Sequence, residues 1–387
     1  MAQLTLPSII SDHMVLQRGN AIPIWGKSQP GQTVAVKLDR GDGQPVVSVS
    51  TQADEHGKWQ VLLDTTSAPD QPLELEVQAD GQGVKRIRDV LVGQVWICSG
   101  QSNMDFPVKS AINSKEEIET ADFPKIRVFK LSRMVSQTPA EDLEQGEWKV
   151  CTPECIPEFS AVGYFFGRSL FQNLHVPVGL IHSAWGGSVA ESWTSALTIE
   201  NDPDFKDKLK ELAGLDESKC QALKTPAVNP NDYPTLLFNG MVNPVIPYGI
   251  RGVIWYQGES NVNFAKQYQR VFPAMIVDWR NHWKQGDFSF LFVSLANHKE
   301  PTKQPSESRW AELREAQTKT LALPKTGMAL AIDLGDAYDI HPKNKQDVGK
   351  RLALSSLKTT YGKNWFMLAQ CSIQCSSTAP KQWLLSA

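Results

Sequence analysis

The chain has 387 residues, 41% of them apolar and 21% charged. That is room for two or three domains of roughly 100–200 residues each, and too ordinary a composition for a disordered, collagen-like or coiled-coil protein. Its 39 basic and 42 acidic residues leave a net charge of −3, so no global positive field exists to collect nucleic-acid phosphates. No apolar run approaches the ~18 residues that span a bilayer, which predicts a soluble chain without a membrane span.

The opening MAQLTLPSIISDHMVLQRG has neither the basic start nor the apolar stretch of a leader. It reads at once as folded sequence, either of a cytoplasmic protein or of one whose signal has been removed. Residues 1–90 alternate at period two in Thr33–Lys37, Val46–Ser50 and Leu73–Val77, with turn residues between, the pattern of an antiparallel β-sandwich-like domain. From residue 91 the pattern changes to buried strands that each lead into a Gly-containing polar loop. These are Val90–Cys98, Val178–Ser183, Gly252–Tyr256 and Met328–Leu334, with a further candidate at Phe288–Leu295.

Helix-compatible stretches lie among them at Tyr164–Leu174, Phe205–Leu212, Gln267–His282, Glu307–Leu321 and Asn344–Leu357. The alternation predicts an α/β domain over 91–362, a parallel sheet with helices on both faces and functional groups at the carboxyl ends of its strands. Residues 216–233 read as an inserted excursion, either a lid or a long connection, and 363–387 as an atypical tail. The spacing Cys151-x-x-x-Cys155 recurs at Cys371 and Cys375. With no His at zinc-ligand spacing, local disulfides or free thiols are expected and no metal or other cofactor.

Four of the loops carry groups suited to acyl transfer. Gly100-Gln-Ser102-Asn-Met104 sets a serine at a tight turn after a strand, where its hydroxyl can attack and its own N–H can hold an oxyanion. It is not the Gly-x-Ser-x-Gly elbow, because Met104 stands in place of the second glycine. Trp185-Gly186-Gly187-Ser188 offers backbone N–H groups unobstructed by a β-carbon. Tyr256-Gln257-Gly-Glu-Ser-Asn261 offers an amide donor in Gln257 or Asn261. Asp339-Ile-His341-Pro342 supplies an imidazole with a carboxylate two residues earlier to orient it. Each loop alone has an ordinary structural reading as a turn, a cap or a solvated pair. In combination they supply nucleophile, backbone donor, amide donor and base in chain order.

These four blocks, with the opening Leu6–Gln17, resemble the sialate O-acetylesterase family, a branch of the SGNH hydrolases, over about residues 4–362. The resemblance implies a flavodoxin-like three-layer catalytic domain with an attached β-domain, and removal of O-acetyl groups from sialic acids or other acetylated sugars. It makes Ser102 the nucleophile and His341 the base, with oxyanion donors among Ser102, Gly186, Gly187, Gln257 and Asn261. The SGNH pattern has Asp three residues before the histidine. Here Tyr338 stands there, so Asp339 is assigned to orient His341, with a Ser–His dyad or another carboxylate as the alternatives.

Acetylxylan esterase activity and non-catalytic carbohydrate binding are the rival functions. An acetylated glycan as substrate favours a periplasmic or secreted protein. A sialic acid carboxylate calls for a cation, for which Arg133, Arg251 and Arg280 are all candidates. Of the 12 Trp, Trp185 and Trp255 fall within the blocks and Trp96 and Trp193 beside them. Their place on or near buried strands predicts that they brace the loops more than they stack on sugar.

Overall fold

The computed structural model describes residues 3–41, 45–214, 233–301, 303–304 and 306–363. The excursion expected at 216–233 and the tail at 363–387 fall outside these, apart from Tyr233 and Lys363, as do Cys220, Cys371 and Cys375. The N-terminal part contains β1 (Val15–Gln17), β2 (Ile22–Lys27), β3 (Thr33–Asp39), β4 (Pro45–Gln52), β5 (Lys58–Leu63) and β6 (Leu73–Ala79). Lys58–Leu63 alternates exposed and buried residues without a break, as a strand covered on one face must. β2 pairs antiparallel with β5, while β4, β3 and β6 form an antiparallel run.

Sixteen residues form the next strand, β7 (Lys85–Gly100). Its first part pairs antiparallel with β6 through Lys85–Val90, and Leu91–Gly93 then pairs parallel with β1. The remainder enters a second setting and is buried without interruption from Val90 to Gly100. The 90/91 boundary expected from composition therefore falls inside a continuous strand.

There β7 is the centre of a sheet completed by β8 (Phe123–Lys130), β9 (Trp148–Cys151), β10 (Val178–Ala184), β11 (Gly252–Tyr256), β12 (Ser289–Val293) and β13 (Thr326–Ala329). The order is β13-β12-β11-β7-β10-β8-β9, parallel throughout except for β9. This is a mixed α/β fold with a largely parallel central sheet.

Helices cover both faces. α1 (Ser102–Asp105) is a single turn; α2 (Ala161–Leu174), α3 (Ala265–Trp283), α4 (Arg309–Lys319) and α5 (Lys345–Thr359) are longer. Alternate residues of one strand enter different cores: Val253 and Trp255 join α3 residues such as Phe272 and Trp279. Ile254 and Tyr256 join Phe165 of α2 and Leu352 of α5.

The sequence reading places β11 at its observed bounds, but the last strand differs. The expected Met328–Leu334 is observed as Thr326–Ala329, because Val293, the last residue of β12, pairs with Ala329. Beyond it the chain turns, and Leu330 and Ile332 are exposed despite being apolar.

Candidate active site

Register brings three loops together. Ala184 at the end of β10 and Tyr256 at the end of β11 both pair with Gly100 at the end of β7, so residues 101–105, 185–188 and 257–261 leave the sheet side by side. Gly100 has φ +138°, and a β-carbon there would lie 2.2 Å from the Tyr256 carbonyl oxygen. Glycine alone fits, and the chain then turns sharply into α1. Gln101 fixes the turn: its N–H donates to Tyr256 O at 3.0 Å, while its Oε1 accepts from the N–H groups of Gly258 and Ser260, each at 3.2 Å. Ser102 is thereby set as the first residue of α1, where its own N–H has no partner within the helix.

His341 reaches Ser102 from the loop after β13, across β12 and β11. Its Nε2 lies 2.8 Å from Ser102 Oγ, within proton-transfer distance. Burial, then the positive charge of Lys345, lower the imidazole's pKa, with Asp339 opposing more weakly. The ring is therefore neutral, able to accept a proton, further into acid than a free imidazole of pKa about 6.5.

Asp339 Oδ1 stands 3.7 Å from His341 Nδ1, beyond a hydrogen bond. Its hydrogen bond goes instead to the backbone N–H of His341, at 2.8 Å. In this geometry Asp339 orients the loop and acts on the ring through charge.

The remaining expected residues divide. Gly186 lies against the serine: a β-carbon on it would sit 3.4 Å from Ser102 Cβ. Trp185 N–H donates to Gly100 O at 3.1 Å and anchors this loop. Gln257 is fully buried, with its Nε2 donating to Ser188 O at 3.1 Å and to Asn261 Oδ1 at 2.6 Å. Asn261 Oδ1 also accepts from Ala190 N–H at 3.0 Å, and its Nδ2 donates to Glu191 Oε2 at 3.0 Å. Both amides thus face each other and the β10 loop. Gln257 has no N–H left for a substrate oxygen, and Asn261 spends one on Glu191.

Sequence reading missed a buried group directly behind Ser102 and His341. Asn103 Nδ2 donates to Glu259 Oε1 at 2.6 Å and to Ile340 O at 3.1 Å, while its Oδ1 accepts from Lys345 Nζ at 2.5 Å. Lys345 has no exposed surface, and its ammonium lies 4.8 Å from the Phe106 ring centre and 5.2 Å from that of Tyr256. Asn103 and Glu259 stand inside blocks singled out for their neighbours. Nothing in the periodicity marks a lysine at the first position of a helix as buried.

Arg133 is the one of three candidate arginines beside this site. Its guanidinium pairs with Asp105 of α1 at 2.6 Å and lies 5.4 Å from the Trp185 ring centre. A cavity of about 500 Å³ runs past it, bounded by Asp105, Lys130, Arg133, Glu158 and His182. His182, buried behind Asp105, is held neutral by desolvation, which lowers its pKa to about 4. Arg251 instead binds Gln94 Oε1 near the amino ends of the strands, and Arg280 is buried against the carbonyls of Phe288 and Pro324. Trp96, Trp193 and Trp255 are completely buried, as bracing predicts, while Trp185 is partly exposed. Cys98, Cys151 and Cys155 are free thiols.

A family model for carbohydrate esterases, sialic acid-specific acetylesterases, matches residues 231–358. The sialate O-acetylesterases of Mus musculus and Homo sapiens are each 33% identical to this chain over 92% of its length, covering 73% and 71% of those proteins respectively. The crystal structure of a carbohydrate acetylesterase from Xanthomonas citri superposes with a TM-score of 0.81 at 40% identity, over 94% of this chain and 76% of that one.

Proposed function

The chain belongs to the sialate O-acetylesterase family and is a carbohydrate O-acetylesterase; from that premise we propose that it removes O-acetyl groups, such as 9-O-acetyl, from sialic acids through a Ser102 acetyl-enzyme. The observation that carries the mechanism is the 2.8 Å contact between His341 Nε2 and Ser102 Oγ. His341 takes the hydroxyl proton as Oγ bonds to the acetyl carbon. The oxyanion is held by the N–H of Ser102 and that of Gly186 or Gly187, with Asn261 and Gln257 fixing the loop that presents them. The imidazolium then protonates the departing sugar oxygen. Water, deprotonated by His341, releases acetate and restores Ser102.

Arg133 supports the choice of a sialic acid. It is a half-exposed guanidinium at the site's edge, over the Trp185 ring and paired with Asp105 through one nitrogen, and its other N–H groups can meet a carboxylate. The strand order β10-β7-β11-β12-β13 corresponds to 2-1-3-4-5 and supports a flavodoxin-like three-layer catalytic domain over 91–362, with β8 and β9 added at one edge. Residues 1–90 form an attached β-sandwich-like part in this reading, and acetylated glycans as substrates favour the periplasm or the outside of the cell.

The test is acetate release from 9-O-acetylated sialic acid beside acetylated xylan, with Ser102→Ala and Arg133→Ala as variants. Ser102→Ala should lose roughly 10⁴–10⁶ in turnover on either ester. Arg133→Ala should raise KM for the sialic acid alone. Preference for acetylated xylan would move the substrate assignment to a hemicellulose without touching the chemistry.

A further inference from the structure

We propose that Glu259, Asn103 and Lys345 are the positioning residues of the reaction, a buried relay that bolts the Ser102 turn to the His341 loop and holds a positive charge behind the imidazole. The inference rests on Ser102 and His341 being the reactive pair. Asn103 follows the serine and Ile340 precedes the histidine, and the Asn103 Nδ2 to Ile340 O bond joins the two. The same amide is oriented by opposite charges: its oxygen meets the Lys345 ammonium and its nitrogen the Glu259 carboxylate. Every hydrogen-bonding position of Asn103 that can fix its orientation is used, so the separation of Ser102 from His341 is set from behind and not by Asp339.

Lys345 is faced by Asn103 of α1 and Phe106 just after it, by Tyr256 and Glu259 from the end of β11 and its loop, and by Asp339 and His341 from its own side of the fold. Burial lowers its pKa to about 7, with Glu259 and Asp339 opposing, so it is charged over the acid range in which His341 titrates. Glu259 keeps one oxygen, Oε2, without a hydrogen bond. Burial raises the pKa of this carboxyl, opposed by its hydrogen bonds to its own backbone N–H and to Asn103 and, more weakly, by the Lys345 charge at the far end of the same amide. Two buried charges could stand anywhere in a core, whereas these two grip Asn103, the residue after Ser102, and Asn103 in turn binds the carbonyl of Ile340, the residue before His341.

The full chain is assayed with an aryl acetate between pH 4 and 9, beginning with Ser102→Ala, whose activity would overturn the site and the relay together. Lys345→Met should lower kcat roughly 10–100-fold with KM within about twofold, and should move the acid limb of kcat/KM upward by about half a pH unit or more, since the charge opposing imidazolium is gone. Glu259→Gln keeps the native shape and serves if Lys345→Met does not fold. With no carboxylate beside it, Lys345 loses its proton at lower pH, and the acid limb moves up by a smaller amount. An inactive Ser102→Ala combined with a wild-type acid limb and wild-type kcat in the folded variants would overturn the relay and leave the nucleophile standing.

Discussion

On one side of Ser102, Gln257 and Asn261 are buried and bonded to each other, to Ser188, to Ala190 and to Glu191. On the other, the His341 side chain is 37% exposed and its nearest carboxylate stands 3.7 Å from the ring. The first flank is rigid because every element of it is tied to the register of β10 and β11. The second must arrive from β13, over two intervening strands, and is steadied chiefly through its backbone. A donor for a developing charge is useful only if it is already in place, whereas a base must rotate between nucleophile, leaving group and water. Rigidity and freedom are thus assigned to the flanks that need them.

That contrast can be broken in decreasing steps. His341→Ala should cost roughly 10⁴–10⁶ in kcat, measured on an aryl acetate, with a thermal melt close to that of the wild type. Asn261→Ala should cost both activity and stability. Turnover should fall on the order of 10²-fold as the Gly186 loop loosens. The urea midpoint should fall by the equivalent of about 2–3 kcal/mol, since the N–H of Ala190 and the Gln257 amide lose a buried partner. Equal damage to stability from His341→Ala would erase the distinction between the flanks.

The wild-type acid limb should lie below about pH 6.5, because the lowered imidazole pKa keeps the base unprotonated until the solution is more acidic than that. Asp339→Asn should have the smallest effect, less than about tenfold in kcat. The amide oxygen can still accept from the His341 N–H, and only the weakest of the influences on the ring is removed. A loss of thousands-fold would show that the carboxylate moves onto Nδ1 during turnover and that this flank is a full triad.

How much of this was legible in the sequence depended on what kind of signal each part carries. Parallel strands buried on both faces are continuous apolar runs, so β7, β10, β11 and β12 could be found, together with the loops that follow them. β8 (FPKIRVFK) could not, since Pro124, Lys125, Arg127 and Lys130 interrupt its pattern, and β9 has only four residues. Arg127 is buried there because Asp89 receives it with contacts of 2.6 and 3.0 Å, a tertiary pairing that local composition does not encode. The site shows the same division. Ser102 and His341 stand in recognisable blocks, but the inward orientation of Gln257 and the burial of Lys345 arise from contacts between residues 69 to 242 positions apart.

The uninterrupted run of β7 through two sheet environments has a consequence for how this enzyme can be altered or can drift. Side chains on a strand alternate, so inserting one residue between Leu91 and Gly93 would invert the facing of everything after it relative to everything before. Trp96 and Cys98 would exchange cores with Val95 and Ile97, and the turn into Ser102 would open towards the wrong layer. A graft that replaces the first 84 residues with another β-module must therefore preserve phase as well as length. Insertions and deletions across the junction are thus coupled by parity, and keep the phase of the strand only in pairs.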